Sequence, residues 1–430
     1  MASLARVGVA RLGYNNVTRQ LCKVTATSNV TQTALISQKA KRVNRRRVEP
    51  FDYLHKEYGF WAQMFDPMVD RCDENSKVIV VEGPIAAGKS KVAAKLAEEF
   101  EMAYLPPPNF DEFYIDENGY DLRTLDDRLS PGSQSCDVQK FLTNPHHINV
   151  PMFQFHYFQM KYDQYITALL HLLSTGQGIV LNRSIYSDYV FAQAMTNAGY
   201  MRPEALKFYH DIVNVAKMLI LRPHLIVYLD VPVDAVKEKI KKRGIPYEVN
   251  SKVFTSEYLQ DIENIYKLDY LKNIITHSHV LVYDWANEGD ITTIVEDIEQ
   301  LNFDYEKSEK KMADWRFETV SDLRVKRRFY ENRFFLHVDY YRNEYSVPEL
   351  HYTPEQDEER DTILQMVPGC KYEKGFNPEL GFKNILWKTP SNFKLKTLRP
   401  NAREVGVVVE EMKKLKAAAS MKLKVAAAKQ

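Results

Sequence analysis

The sequence predicts an α/β protein built on a doubly wound, five-stranded parallel sheet with flanking helices. Three observations carry that reading. Short continuous runs of β-branched and aliphatic residues recur, as in strands buried on both faces. They alternate with stretches whose apolar residues fall at helical spacing. The first run leads straight into a glycine-punctuated turn followed by an amphipathic stretch.

The elements follow in order. Residues 49–75 hold Phe51, Tyr53, Tyr58, Phe60, Trp61 and Phe65, an aromatic lead-in expected to pack on the core. Val78–Val81 is the first strand, and Ala93, Leu96, Ala97 and Phe100 mark one face of the helix after it. Met102–Leu105 is the second strand. Residues 153–173 form a long helix bearing Phe155, Phe158, Tyr162, Tyr165, Ile166, Leu169 and Leu173. Gly178–Leu181 is the third strand, 204–220 a helix, Leu225–Leu229 and Val280–Tyr283 the last two strands, and 290–301 the closing helix. Ligands of such sheets sit at the carboxyl ends of the strands. Residues 49–302 are thus one domain. Residues 303–388, aromatic and charged without sustained periodicity, are expected to be an irregular C-terminal extension, and 389–430 is a basic tail.

Composition narrows the function classes. At 45% hydrophobic and 27% charged residues the chain is ordinary globular material. Residues 1–48 carry ten Lys or Arg and no acid, so 49–430 is net −9 against an overall +1. A mildly acidic body argues against general nucleic-acid binding. The acid-free, Arg-bearing start reads as a mitochondrial presequence, with a disordered basic arm as the alternative. No apolar stretch reaches the roughly 18–20 residues of a membrane span; Met218–Val231 is interrupted by Arg222, His224 and Asp230. Cys22, Cys72, Cys136 and Cys370 lack CxxC spacing and are expected to be buried free thiols in a reducing compartment rather than disulfides or zinc ligands.

Gly83-Pro84-Ile85-Ala86-Ala87-Gly88-Lys89-Ser90 fits the P-loop pattern GxxxxGK[ST] without mismatch, between a strand and a helix. This makes the expected fold that of a P-loop NTPase. The two glycines let backbone N–H groups curl around phosphate oxygens. The helix start adds partial positive charge, Lys89 reaches the outer phosphates, and the Ser90 hydroxyl is a Mg²⁺ ligand.

This loop, with Ala86 and Ala87 inside it, resembles that of the deoxyribonucleoside kinases, and three further segments agree in order. Phe153-Gln154 followed by Lys161 is similar to the helix on which those kinases hold the nucleoside. Asn182-Arg183-Ser184-Ile185-Tyr186-Ser187-Asp188 resembles their Glu-Arg-Ser motif. Lys239, Lys241, Lys242 and Arg243 occupy the place of their phosphate-covering lid. The resemblance implies a nucleotide-binding set of Gly83, Ala86, Ala87, Gly88, Lys89, Ser90 and Arg183. It implies a nucleoside pocket of Gln154, Lys161 and Asp188.

Two departures bear on chemistry. Where the kinases carry the Glu that acts as general base, this chain reads Leu105-Pro106-Pro107-Pro108, and Pro107 has no titratable group. Asp111 and Glu112 lie several residues away. Asn182 stands where the kinases have a metal-holding Glu, and a neutral amide serves a hard cation poorly. One branch of the fold is closer and longer in resemblance: the kinase-like accessory subunits of mitochondrial respiratory complex I (NADH:ubiquinone oxidoreductase). That likeness spans roughly residues 50–388 and includes Gly176–Leu181, His224–Pro232, Tyr258–Asn264, Pro368–Tyr372 and Trp387-Lys388. It implies a subunit peripheral to the inner membrane on the matrix side. Its role is in assembly and stability, with a bound purine nucleotide and Mg²⁺ in a site without efficient chemistry. The extension 303–388 would dock on neighbouring subunits. FAD is also attributed to that family, but no GxGxxG fingerprint is present. The alternatives are an active mitochondrial deoxyribonucleoside kinase and a nucleotide sensor on the complex.

Overall fold

The computed structural model describes residues 48–115, 120–303, 310–332, 336 and 347–367. The presequence reading, the tail 389–430, Cys22, Cys370 and the segments from Pro368 onward lie outside the described residues.

Five strands form: β1 Val78–Glu82, β2 Ala103–Leu105, β3 Ile179–Asn182, β4 Leu225–Asp230 and β5 His279–Asp284. They pair in parallel in the order β2-β3-β1-β4-β5. Each expected strand appears within two residues of its expected bounds. β1 and β3 are buried along their whole length, which is why their sequences are continuous apolar runs and not alternating ones. Period-two alternation persists underneath. Val78 and Val80 join the core on one face of the sheet, while Ile79 and Val81 join the core on the other.

The first face is covered by the long helix Val150–Thr175, whose Phe158, Tyr162, Ile166, Leu169 and Leu173 are buried. Pro151 sits in its first turn and Gly176 ends it in the left-handed conformation (φ +74°). A Cβ at Gly176 would lie 2.2 Å from the Arg71 carbonyl oxygen, so glycine is required twice over. The second face is covered by the phosphate-loop helix Lys89–Glu99 and by helix Ile291–Gln300, through Val92, Leu96, Ile294 and Ile298. Among the described residues no helix is long and apolar enough to cross a membrane.

The aromatic lead-in divides. Tyr53 and Tyr58 are buried, but Trp61 and Phe65 are 71% and 69% exposed and Phe60 is 42% exposed. Helix Phe60–Phe65 buries none of its residues; Trp61 and Phe65, one turn apart, stack on each other at 6.1 Å. The expectation that this whole set packs on the core is corrected for those three.

The described part of the extension is not irregular throughout. Helices Val320–Glu331 and Pro354–Leu364 form, each opened by a capping box, Thr319 with Asp322 and Thr353 with Gln356. Trp315, Leu323, Tyr330, Leu336, Val347 and Leu350 belong to the same core as the long helix. Arg327 is fully buried: its Nε donates to Ser174 Oγ (3.1 Å), its Nη1 to Glu331 (2.8 Å), and its guanidinium lies 3.9 Å from the Tyr58 ring centre. Of the cysteines, Cys136 is buried and Cys72 half-buried, and both are free thiols.

His171, on the long helix, is buried between the Tyr53 hydroxyl and Gln177 Oε1, each 3.0 Å from a ring nitrogen. Burial pushes its pKa down from 6.5 to about 4. The unfolded chain therefore binds the extra proton first, and the stability contributed by neutral His171 is full above pH 6.5 and lost as pH falls toward 4. Urea unfolding at pH 7.5 and pH 5 is expected to show lower stability at the acid pH. His171→Gln, which cannot charge, should reduce that dependence in part, since burial also pushes down His156, to about 4, and His224; an unchanged dependence would assign it wholly to those other groups.

Candidate functional site

The site grows from the carboxyl ends of β1 and β3, the central strands where the sheet order reverses. Gly83 leaves β1 at φ +142°, and a Cβ there would stand 2.6 Å from the Leu229 carbonyl oxygen of β4. The loop can turn this close to the sheet only without a side chain. Ala86 (φ +58°) and Gly88 (φ +83°) are also left-handed. Alternation of ordinary and left-handed backbone turns successive N–H groups inward, the arrangement that binds anions. Buried Trp285, just past β5, lies beneath Gly88.

Lys89 opens the helix and is itself buried. Its ammonium folds back to donate to the Pro84 carbonyl. Burial pushes its pKa well below the ordinary lysine value, and the neighbouring Arg183 charge adds to this, with Glu82 opposing. Arg183 adopts φ +64°, and its guanidinium lies 4.2 Å from the Phe191 ring centre. Its Nε is buried with no hydrogen-bond partner. Among the described residues neither Lys89 nor Arg183 makes an ion pair. Two cations held together at a phosphate-binding turn, one with an orphaned donor, fit an anionic ligand.

The predicted nucleoside residues converge. Asp188 is fully buried and accepts from Gln154 Nε2 (2.8 Å), Lys161 Nζ (2.9 Å) and the Tyr209 hydroxyl (2.6 Å). Gln154 and Lys161 thus spend donors on each other's partner, which fixes their rotamers. Of the lid residues, Lys241 and Lys242 are exposed at the end of helix Val233–Arg243, and Arg243 pairs with Glu248 at 2.9 Å. Lys239 is drawn away to the Trp285 carbonyl at 2.5 Å. The positive charge of Arg243 nonetheless reaches Lys89.

At the expected base position β2 runs into the proline segment, and Gln164 Nε2 donates to the Pro106 carbonyl, covering the strand end with an amide. Asp111 is held by Arg123 at 2.7 Å and by Asn109. Asn182 Nδ2 donates to Ser90 Oγ at 2.7 Å. This donor set does not fit a Mg²⁺ site built by the protein. It offers one hydroxyl already engaged by an amide, and no free carboxylate. The carboxylate that sequence reasoning missed, Glu82 at the end of β1, is fully buried and committed elsewhere. It accepts from the Ser184 amide (2.9 Å), Ser184 Oγ (3.0 Å) and Ser187 Oγ (2.8 Å), with the Tyr266 and Tyr270 hydroxyls at 3.3 and 3.4 Å. An acid closing an otherwise apolar buried strand was its only signal. Flavin is assigned no residues, since no GxGxxG turn exists.

A strand–loop–helix phosphate cradle on a 2-3-1-4-5 parallel sheet defines a P-loop kinase-like protein. The deoxynucleoside kinase family model matches residues 79–320. The mouse protein NADH dehydrogenase (ubiquinone) 1 alpha subcomplex subunit 10, mitochondrial, is 37% identical over 335 residues, covering 77% of this chain and 90% of the relative. Its counterpart in Bos taurus is 34% identical, covering 77% and 93%. A deoxyguanosine kinase of Dictyostelium discoideum is 28% identical, covering 53% of this chain and 70% of the enzyme. The chain belongs to the deoxynucleoside kinase family and, within it, to the kinase-like accessory subunits of mitochondrial complex I.

Proposed function

We propose that this protein is a non-catalytic accessory subunit of mitochondrial NADH:ubiquinone oxidoreductase, peripheral to the inner membrane on its matrix side. In this reading its kinase site is kept as a nucleotide-binding element that supports fold and assembly. One observation carries the non-catalytic part. Both carboxylate positions on which phosphoryl transfer depends are filled by groups that cannot do the work, Pro107 at the strand end and Asn182 bonded to Ser90. Phosphoryl transfer rests on positioning and charge. The site retains the cations, Lys89 and Arg183, and loses the acids. Gly83, Ala86, Ala87, Gly88, Lys89, Ser90 and Arg183 hold the phosphates of a purine nucleotide, Gln154, Lys161 and Asp188 shape the nucleoside end, and Lys241, Lys242 and Arg243 cover it. The extension and the basic tail contribute the contacts to neighbouring subunits.

The expected result is that the purified protein phosphorylates deoxynucleosides about 10²–10⁴-fold more slowly than a true kinase, the range spanned by loss of a general base. Purine nucleotide should still raise the melting temperature, by mass action worth about 2.7 kcal/mol at a hundredfold excess over Kd. Lys89→Ala should abolish that rise. In native gels of mitochondria the protein should co-migrate with the NADH-oxidising assembly. The intact phosphate loop favours a second reading, an active deoxyribonucleoside kinase. Turnover of order one per second by a small soluble species would establish it and remove the first.

A further inference from the structure

A cavity of about 390 Å³ opens on a different part of the molecule from the phosphate loop. Its walls come from Tyr186 and Tyr189, from the helix Pro203–Leu219 through His210, Asn214 and Lys217, from the segment Asp269–His277, and from Arg222. None of these residues belongs to the nucleotide-binding set. We propose that this cavity is a second ligand site that takes a small molecule through an oxyanion group, a phosphate or a carboxylate, held by Lys217 and Arg222.

The wall chemistry supports an anion. Lys217 makes no ion pair among the described residues; its ammonium lies 4.7 Å from the Tyr189 ring centre and 6.0 Å from that of Tyr186. A half-buried ammonium lining the cavity, with no carboxylate partner among the described residues, is available to an anion that enters it. Its pKa is pushed down to about 8, by burial first, with Asp188 and Asp269 opposing. Two wall atoms are buried with no partner at all, the Tyr186 hydroxyl and His277 Nδ1. Each is sealed beneath the wall surface, so the contacts to an anion fall to Lys217 and Arg222.

The negative charges nearby are already committed. Asp269 accepts from Asn273 Nδ2 at 2.6 Å. Asp314, from the C-terminal extension, takes Arg222 Nη1 on both oxygens at 2.9 and 2.8 Å, which fixes the guanidinium at the rim. That bond makes the site a joint product of the kinase core and the extension. The cavity also lies near the hub of the first site, since the charge of Asp188 is felt at Lys217. Its size is within the roughly 300–1,000 Å³ range of small-molecule pockets.

The test uses the full chain carrying Lys89→Ala, so that the phosphate loop does not report. Inorganic phosphate and succinate are titrated separately by calorimetry, with the His210 and His277 ring resonances followed by NMR. Saturable binding of at least one of the two, with shifts at both histidines, is expected; which of them binds identifies the oxyanion. Adding Lys217→Met should weaken that binding at least tenfold, and Asn214→Leu, on the same wall, should block it sterically. Should Lys217→Met fold poorly, Asn214→Leu alone decides. No saturable binding in the Lys89→Ala protein overturns the proposal. So does binding that survives whichever wall variant folds. Neither result touches the nucleotide reading, which is measured with Lys89 intact.

Discussion

Asp188→Ala is expected to destabilise the protein by about 3–5 kcal/mol, the cost of breaking a buried ion pair from one side. Three donors converge on this carboxylate, from Gln154, Lys161 and Tyr209, and none is replaced when it goes. Lys161 is 3% exposed, and Asp188 is its only ion-pair partner among the described residues. Its ammonium would be left charged in an interior that cannot solvate it. The Gln154 amide and the Tyr209 hydroxyl would each add the smaller penalty of an unmade hydrogen bond, about 1–3 kcal/mol apiece where water cannot enter. The diagnostic comparison is the double variant Lys161→Met with Asp188→Leu. Removing both charges removes the desolvation cost along with the attraction, so the double variant should be more stable than Asp188→Ala alone. Urea denaturation at pH 7.5 measures all three proteins. A loss under about 1 kcal/mol for Asp188→Ala would mean that water reaches Lys161 and that this hub is solvent-linked rather than sealed. The same variant should weaken nucleotide binding, since the hub fixes the rotamers of both predicted nucleoside residues.

What could be read from the sequence follows the range of the interactions involved. β1 and β3 were legible because burial on both faces demands an unbroken apolar run, a local property. The phosphate loop was legible because its chemistry lies within eight consecutive residues and depends on backbone conformation that glycine signals. Pro107 and Asn182 stand at or beside the ends of β2 and β3, where the resemblance alone marks them as departures. Glu82 could not, because its meaning depends on Ser184, Ser187, Tyr266 and Tyr270 arriving from distant parts of the chain. The same holds for Asn182 as a partner of Ser90: the residue was evident, and the bond that occupies the hydroxyl was not. In helix Val320–Glu331 the buried stripe is Leu323, Arg327 and Tyr330, at positions i, i+4 and i+7. An arginine at the centre of a buried stripe defeats any search for apolar periodicity. The exposed Trp61 and Phe65 are the opposite failure, aromatic residues counted as core that the lead-in leaves outside.

A chain ending after Leu301 is expected not to fold cooperatively, because the described part of the extension is built into the core. The truncation removes Met312, Trp315, Leu323, Tyr330, Leu336, Val347 and Leu350 from the core that covers the long-helix face of the sheet. At about 1.5–3 kcal/mol for each fully buried large side chain, the loss is of the order of the whole stability of a typical domain, about 5–15 kcal/mol. It also strands groups that remain. Trp315 Nε1 donates to the Arg222 carbonyl (2.7 Å) and its ring lies 4.0 Å from that of His224, where β4 begins. Arg222 itself loses Asp314, and the Tyr58 amide loses Glu331. Circular dichroism and thermal melting of the truncated chain should show retained helix signal without a sharp transition, and a fluorescent probe of exposed apolar surface should bind. A shorter deletion ending after Val367 keeps every one of these contacts and should melt as the full chain does. That second protein carries the partner question: if it fails to join the assembly while melting normally, the docking contacts lie beyond Val367. A cooperative melt for the chain ending at Leu301 would instead show that the sheet and its helices close without the extension, and that its buried residues are fillers of a core already stable.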